Sequence, residues 1–426
     1  MIFPIAVSVF VFVLVYVIIA LNLINKATIS ILGVSILLLF GILTLEEAFA
    51  SINLQVIFLL TSLMILANVT KETGLFLYFA IKLAKIARGD PLRILLLLAV
   101  LTAVTSAFID NVTTIIMYAP IAVLIAVELG ITPVPFIVTM VIFSNIGGTA
   151  TLIGDPPNIL IGYSAGLSFG DFIMNEGILV IIVSLVCLFL TTRIFGHQIK
   201  TTPERMQRIM NFNETSVLTD KKKIIQTGFV WFWVIIGFLF QDMIHVNPTI
   251  IAMSGTALIL TITRSSPERF FAEVEWITIF FFIGLFILVG ALEKYMIINF
   301  LGNNLIAVTQ GNTTLSAMVI LWGGGILSGF IDNIPFVAVM IQLIHNLNES
   351  NLLAQESNIY WWALSTGACF GGNFTLIGAS ANIIASEMSR KSGYEINFRE
   401  FTKYGIVYTI SALGISTIYL YLRYLI

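Results

Sequence analysis

The sequence predicts an all-α polytopic membrane protein made of two inverted repeats. Three observations carry that reading: the apolar composition, a polar phrase written twice, and the sorting of the basic residues. Of 426 residues, 58% are hydrophobic and 10% charged, and the mean hydropathy is +1.01. Soluble globules of this size do not have that composition, and membrane-length apolar stretches recur from end to end. Segment 5–24 has the length of a signal peptide but lacks a basic n-region and an A-x-A-like cleavage site, so it reads as a retained span. Cys187 and Cys369 lie in apolar surroundings and make no disulfide framework. No basic run with interleaved aromatics points to nucleic acid.

The repeat emerges when the chain is slid against itself by 222 residues. Gly33 then falls on Gly255, Glu46 on Glu268, and Asp110-Asn111 on Asp332-Asn333. At a shift of 224, "GGTATLIGDPPNI" (147–159) meets "GGNFTLIGASANI" (371–383). Shared leucines between apolar helices mean little. Two polar, glycine-rich phrases in the same order at nearly the same offset indicate internal duplication.

The elements follow in order. The first repeat, 1–198, opens with spans at 4–24, 28–45 and 52–70, then the amphipathic piece "GLFLYFAIKLAKIARGDP". Next come a hairpin over 92–127 carrying Asp110-Asn111, a broken helix over 133–163, and a last span over 172–194. Residues 199–224 form a linker. The second repeat, 225–426, has spans at 227–243, 248–263 and 274–292, a shorter piece, a hairpin over 313–346, a broken helix over 358–386 and a span over 404–424.

Charge sets the topology. If each Asp-Asn segment is a re-entrant hairpin, each half crosses five times, and an odd count inverts the halves. With the linker cytoplasmic, all but Lys294 and Arg423 of the 21 basic residues fall inside. A single crossing at each Asp-Asn segment would place the halves in parallel and scatter those charges. The expected location is the inner membrane, with both termini outside.

An ionised Asp110 in mid-membrane costs roughly 2.5–3.5 kcal/mol on insertion scales, so it must face protein, ions or water. Asn111 beside it adds an acceptor and two donors. At a hairpin tip the orphan backbone groups are tolerated only where they line a cavity or a bound ion. Gly147-Gly148 weakens the next helix and Pro156-Pro157 removes two donors, so the chain unwinds near Gly154-Asp155. Such a break offers carbonyls to a cation and a helix N-terminus to an anion or polar solute. The ion and substrate site therefore comprises Asp110, Asn111, Thr113, Gly147, Gly148, Thr151, Gly154, Asp155 and Asn158 in the first half. In the second it comprises Asp332, Asn333, Gly371, Gly372, Asn373, Thr375, Gly378 and Asn382. Na⁺ would sit near Asn111 and Asn333. No Lys or Arg lies between 94 and 192 or between 295 and 389, so a multivalent anion would meet three aspartates and no fixed positive charge. Asp155 has no acidic mate, because Ala379 stands there, and it is the candidate for alternating proton and Na⁺ occupancy. The blander readings are a polar clamp between helices at Asp-Asn and a proline kink at the break; the duplication favours a transport site.

At these phrases the chain resembles the ion-transporter superfamily, in the branch of arsenite permeases, NhaD-type sodium/proton antiporters and the P protein. "SAFIDNVTTIIMYAPI", "NIGGTATLIGDPPNILIG" and "SGFIDNIPFVAVMI" are most similar to the P protein and prokaryotic arsenite-permease-like relatives, from about Leu43 to the last span. The resemblance implies a scaffold, often dimeric, and a transport domain that moves as an elevator. It implies secondary active transport of a small inorganic ion or oxyacid, with arsenite/antimonite-type efflux as the family default. A Na⁺/H⁺ antiporter and a channel-like anion conductance are the rival functions. Departures matter too: Asp stands where sodium/carboxylate symporters carry Ser at the tips, which argues against dicarboxylates. No nucleophile–base arrangement suggests an enzyme, and no cofactor is expected beyond Na⁺ or H⁺. Without a P-loop, ATP drive would require a separate ATPase subunit. The lipid bilayer and the small solute are the expected partners.

Overall fold

The structure is a computed structural model that describes residues 2–21, 23–264, 266–297, 308–349 and 358–426. Among the described residues the regular structure is helix throughout, and seven helices are long and apolar enough to cross a membrane. They are Phe3–Ala20, Leu54–Glu72, Asn111–Leu129, Phe169–Phe195, Lys221–Leu239, Trp276–Lys294 and Phe398–Tyr424. The second-half counterpart of the amphipathic piece falls mainly outside the described residues.

Burial separates the outer helices from the inner ones. Only 22% of Phe3–Ala20 and of Lys221–Leu239 is covered by protein, against 67% of Leu54–Glu72. The poorly covered pair shows Phe10, Val17, Phe229 and Phe232 outward, the surface a hydrocarbon solvent accepts. Small residues let the frame close. Gly33 sits against Val15 and Leu288, and Gly255 against Val234 and Leu66, so matching glycines receive matching neighbours.

Leu54–Glu72 and its counterpart Trp276–Lys294 run in opposite directions. One pocket is lined by Lys71, at the end of the first helix, and Glu275, at the start of the second. Another is lined by Asn53, at the start of the first, and Glu293, at the end of the second.

Two helices are interrupted in mid-course. Val134–Gly148 stops and the chain resumes helix at Pro156–Ala165; Ile359–Gly371 stops and resumes at Ser380–Lys391. Each lies beside a helix pair, Pro91–Ser106 with Asn111–Leu129, and Thr313–Ser328 with Asn333–Glu349. Contact is backbone to backbone. A Cβ on Gly147 would stand 2.1 Å from the Ala103 carbonyl oxygen, and one on Gly371 would stand 2.5 Å from that of Gly325. The Thr151 hydroxyl donates to the Ala107 carbonyl, and the Thr375 hydroxyl to that of Gly329.

The segment between the halves is itself packed. Its helix Pro203–Met210 places Met206 against Gly89 and Arg205 against Gly130. Arg205 Nη1 also donates to the Leu129 carbonyl at 3.3 Å. The start of Pro91–Ser106 and the end of Asn111–Leu129 thus meet one short helix. Lys85 pairs with Glu214 at 2.5 Å and holds that carboxyl below its ordinary range.

Candidate functional site

The sequence at each break decides which polar groups remain free. Asp110 caps Asn111–Leu129, its Oδ1 accepting from the Thr113 amide at 2.9 Å. Asp332 Oδ1 accepts from the Ile334 amide at 3.2 Å. Asp155 stands at the N-cap of Pro156–Ala165 but makes no capping bond, since two prolines follow it. Its carboxylate is left for other partners. They come from both halves: Asn111 Nδ2 lies 3.4 Å from Oδ1, and Asn333 Nδ2 lies 3.4 Å from Oδ2. These are long contacts around a fully buried acid.

Behind Asp155 a chain of asparagines crosses between the halves. Asn111 Nδ2 donates to Asn145 Oδ1 at 3.0 Å, and Asn145 Nδ2 donates to Asn373 Oδ1 at 2.8 Å and Asn382 Oδ1 at 3.1 Å. Asn158 and Asn382 act as latches for the breaks. Asn158 Nδ2 reaches the carbonyls of Thr149 and Thr151 at 3.1 and 3.0 Å; Asn382 Nδ2 reaches those of Gly372 and Thr375 at 2.8 and 2.9 Å. Buried carbonyls that lack helical partners are thereby satisfied.

In front of Asp155 lies a cavity of ≈ 20 Å³, room for one water or a small cation. Lys26, Asp110, Asn111, Asp155, Glu275, Asn333 and Ser380 line it. It shares Lys26, Val112, Glu275, Thr278 and Ser380 with a cleft of ≈ 600 Å³ that also reaches Asp332 and Glu387. The geometry corrects one expectation. A fixed positive charge does enter the site: Lys26 Nζ donates to Ser380 Oγ at 2.7 Å and lies 3.7 Å from Asp332 Oδ2. Lys26 starts the Lys26–Leu39 helix, far in sequence from the motifs whose lack of Lys and Arg suggested a site without positive charge.

The structure therefore brings Asp110, Asn111, Asp155 and Asn333 around the small cavity, with Asp332 at the cleft. Asn158, Asn373 and Asn382 stand behind them. Gly147, Gly148, Gly154, Gly371, Gly372 and Gly378 supply close backbone approach, and Thr151 and Thr375 tie each break to its helix pair. Thr113 faces a separate pocket with Asn68, Lys71 and Glu275. Among the described residues no three acidic, histidine or cysteine side chains gather as a metal-chelating group. Sequence reasoning missed Lys26, Asn145, Glu275 and Ser380. Asn145 sits two residues before Gly147 and could have been read as part of that phrase; Lys26 and Glu275 carry no motif.

A multi-pass helical protein with a polar site between two interrupted helices is, in class, a membrane transporter. The family model described as "Citrate transporter" matches residues 15–367, and the chain belongs to that family. It is 40% identical to the "46 kDa membrane protein" of Mycobacterium leprae (strain TN), over 99% of both chains. It is 38% identical to an uncharacterized transporter of Mycobacterium tuberculosis (strain ATCC 25618 / H37Rv), again over 99% of both. The human P protein is 29% identical over 88% of this chain, which spans 54% of that longer protein. The fold is similar to that of the Alcanivorax borkumensis YdaH transporter, with a TM-score of 0.57, 14% identity and 98% of each chain covered.

Proposed function

We propose that this protein is a secondary active transporter that carries a small inorganic ion or oxyacid by alternating access, coupled to Na⁺ or H⁺ at Asp155. One observation carries the reading: each oxygen of a buried carboxylate faces an asparagine from a different half, beside a cavity sized for one small ion. Neutralising that carboxylate, by a proton or a cation, changes what both halves bind. Such a group can couple ion occupancy to their relative position.

Five acids, Asp110, Asp155, Glu275, Asp332 and Glu387, line the two cavities with one lysine, Lys26. That balance favours a cation, a proton-coupled cycle or a neutral hydroxylated solute such as arsenious acid. The family description names citrate; a trianion would enter this site only with accompanying cations or protons. Cys369 contacts Asn158 Oδ1 at 3.5 Å and offers one thiol, a poor match for a thiophilic trivalent ion. The Na⁺/H⁺ antiporter remains the second reading, favoured by the absence of a capping bond on Asp155.

Inverted repeats and re-entrant helix pairs are part of the same proposal. The opposed helices Leu54–Glu72 and Trp276–Lys294 support inversion. The meeting of both ends of the first helix pair with Pro203–Met210 supports re-entry from the linker side. The linker is then cytoplasmic, the termini are outside, and the cleft beside Lys26 and Glu387 opens inward.

The test uses proteoliposomes holding a pH-sensitive dye. Na⁺ addition should drive a proton movement that Asp155→Asn abolishes. A panel of metalloid and carboxylate solutes in everted vesicles, with and without Na⁺ and a pH gradient, then names the cargo. Full coupling in Asp155→Asn would sink the proposal.

A further inference from the structure

Glu176 plays no part in the site described so far, yet it is the most anomalous acid in the fold. It lies in a π-helical turn, Ile173–Gly177, at the head of a membrane-length helix, and is 1% exposed. Both of its carboxyl oxygens lack a hydrogen-bond partner among the described residues. Single π-turns are uncommon and concentrate at functional sites. An ionised carboxylate without a partner is costly in such a place.

Its surroundings lead in two directions. Towards the site stand Ser365 and Cys369, one turn apart on Ile359–Gly371. The Ser365 hydroxyl lies beside Glu176 but donates to Asn158 Oδ1 at 2.8 Å, which is why the carboxyl is left alone. Cys369 Sγ reaches the same Asn158 Oδ1 at 3.5 Å, so the hydroxyl and the thiol converge on one acceptor. In the other direction, among the described residues, are the titratable and charged groups Tyr419, Arg423 and Tyr424 of Phe398–Tyr424. Tyr419 Oη donates to the carbonyl of neighbouring Asn175 at 2.6 Å, Tyr424 Oη contacts Asn175 Oδ1 at 2.5 Å, and Arg423 Nη1 donates to Tyr419 Oη at 2.5 Å.

We propose that Glu176 is the proton-carrying residue of this transporter, exchanging protons with Asp155 through Ser365 and Cys369, and with water past the Arg423 end. The inference rests on the coupling role proposed for Asp155. When the Asp155 carboxylate loses its cation, one proton leaves the Glu176 carboxyl and one arrives at Asp155. The hydroxyl and the thiol each release the proton they hold as they take the next, and both end unchanged. Glu176 is then reprotonated from the Arg423 end. Rotation of the Ser365 hydroxyl from Asn158 to Glu176 opens the path.

Two measurements on the full chain in proteoliposomes test this. Infrared difference spectra between acid and alkaline pH should show a neutral-carboxyl band that is missing in Glu176→Gln and shifted in Asp155→Asn. A band that is absent, or indifferent to pH and to Asp155→Asn, overturns the proposal whatever the protein carries. With Na⁺ as the probe, Glu176→Gln, an isostere of the neutral acid, should cut Na⁺-driven proton flux by about a hundredfold. Radiolabelled Na⁺ counterflow, which moves no net proton, should be unchanged. A variant with full proton flux shows a merely structural acid and overturns the proposal. Wild-type protein with the infrared behaviour but no Na⁺-driven flux sinks Na⁺ coupling and leaves Glu176 in its role.

Discussion

At the scale of single residues, Lys26 and Asp155 divide the electrostatic work. Asp155 has no capping bond and faces two amides at 3.4 Å, so a cation can add to it without breaking a strong contact. Asp332 is held by Ser380 at 2.8 Å and by Lys26, a tethered internal cation. Removing that charge leaves the acids of the cavity and cleft without a fixed counter-charge and strengthens the pull on an incoming cation. Lys26→Gln should therefore raise Na⁺ affinity about tenfold, the equivalent of roughly 1.4 kcal/mol, as read by calorimetry on purified protein. Lys26→Arg should stay near the wild type; equal affinity in Lys26→Gln would show that Asp332 and its lysine stand apart from the ion site.

Among the elements, the interrupted helices rest on glycine contacts that tolerate no side chain. Gly147→Ala and Gly371→Ala each drive a Cβ into a neighbouring carbonyl, and overpacking of this kind costs about 1–3 kcal/mol. Both should lower the melting temperature in detergent. Gly323→Ala, in a helix with nothing within 4 Å of the added carbon, should stabilise slightly. The linker gives a pH prediction. Lys85 holds the Glu214 carboxyl below the ordinary glutamate range. A depressed acid contributes its stabilisation in full above the unfolded value and loses it as pH falls through the folded one. Protection factors of amides in 203–217, corrected for the intrinsic exchange rate at each pH, should fall as pH drops below that range, and Lys85→Met should remove the acid-dependent step. The phrases that break the helices were legible in the sequence because glycine pairs and prolines act locally. Lys26, Glu275 and Glu176 were not. Their roles arise when helices distant in the chain pack together, and a π-turn leaves no mark in residue pattern.

For the whole molecule, the repeated contacts say how the two halves oppose each other. Glu72 pairs with Arg269 at 2.5 Å, and at matching positions Lys294 pairs with Glu47 at 2.7 Å, the same bridge with its signs exchanged. Lys71 and Glu275 line one pocket, while the matching Glu293 and Asn53 line another at the opposite helix ends. On the proposed alternating-access reading, equivalent frames with unequal charge would open at either end in turn. Here the ≈ 600 Å³ cleft lies at the Lys26 end, while the Asn53 end holds pockets of ≈ 250 and ≈ 170 Å³. On the proposed topology this is the inward-facing arrangement. Both native cysteines are fully buried, so the wild type is a blank for thiol labelling. Ile384→Cys in the cleft should react with a membrane-impermeant maleimide in everted vesicles and be silent in intact cells. Gln342→Cys, in the opposite pocket, should show the reverse access and gain reactivity when a transported ion closes the cleft. If both positions label from the same face, the halves are not inverted about the site, and alternating access between these two openings fails.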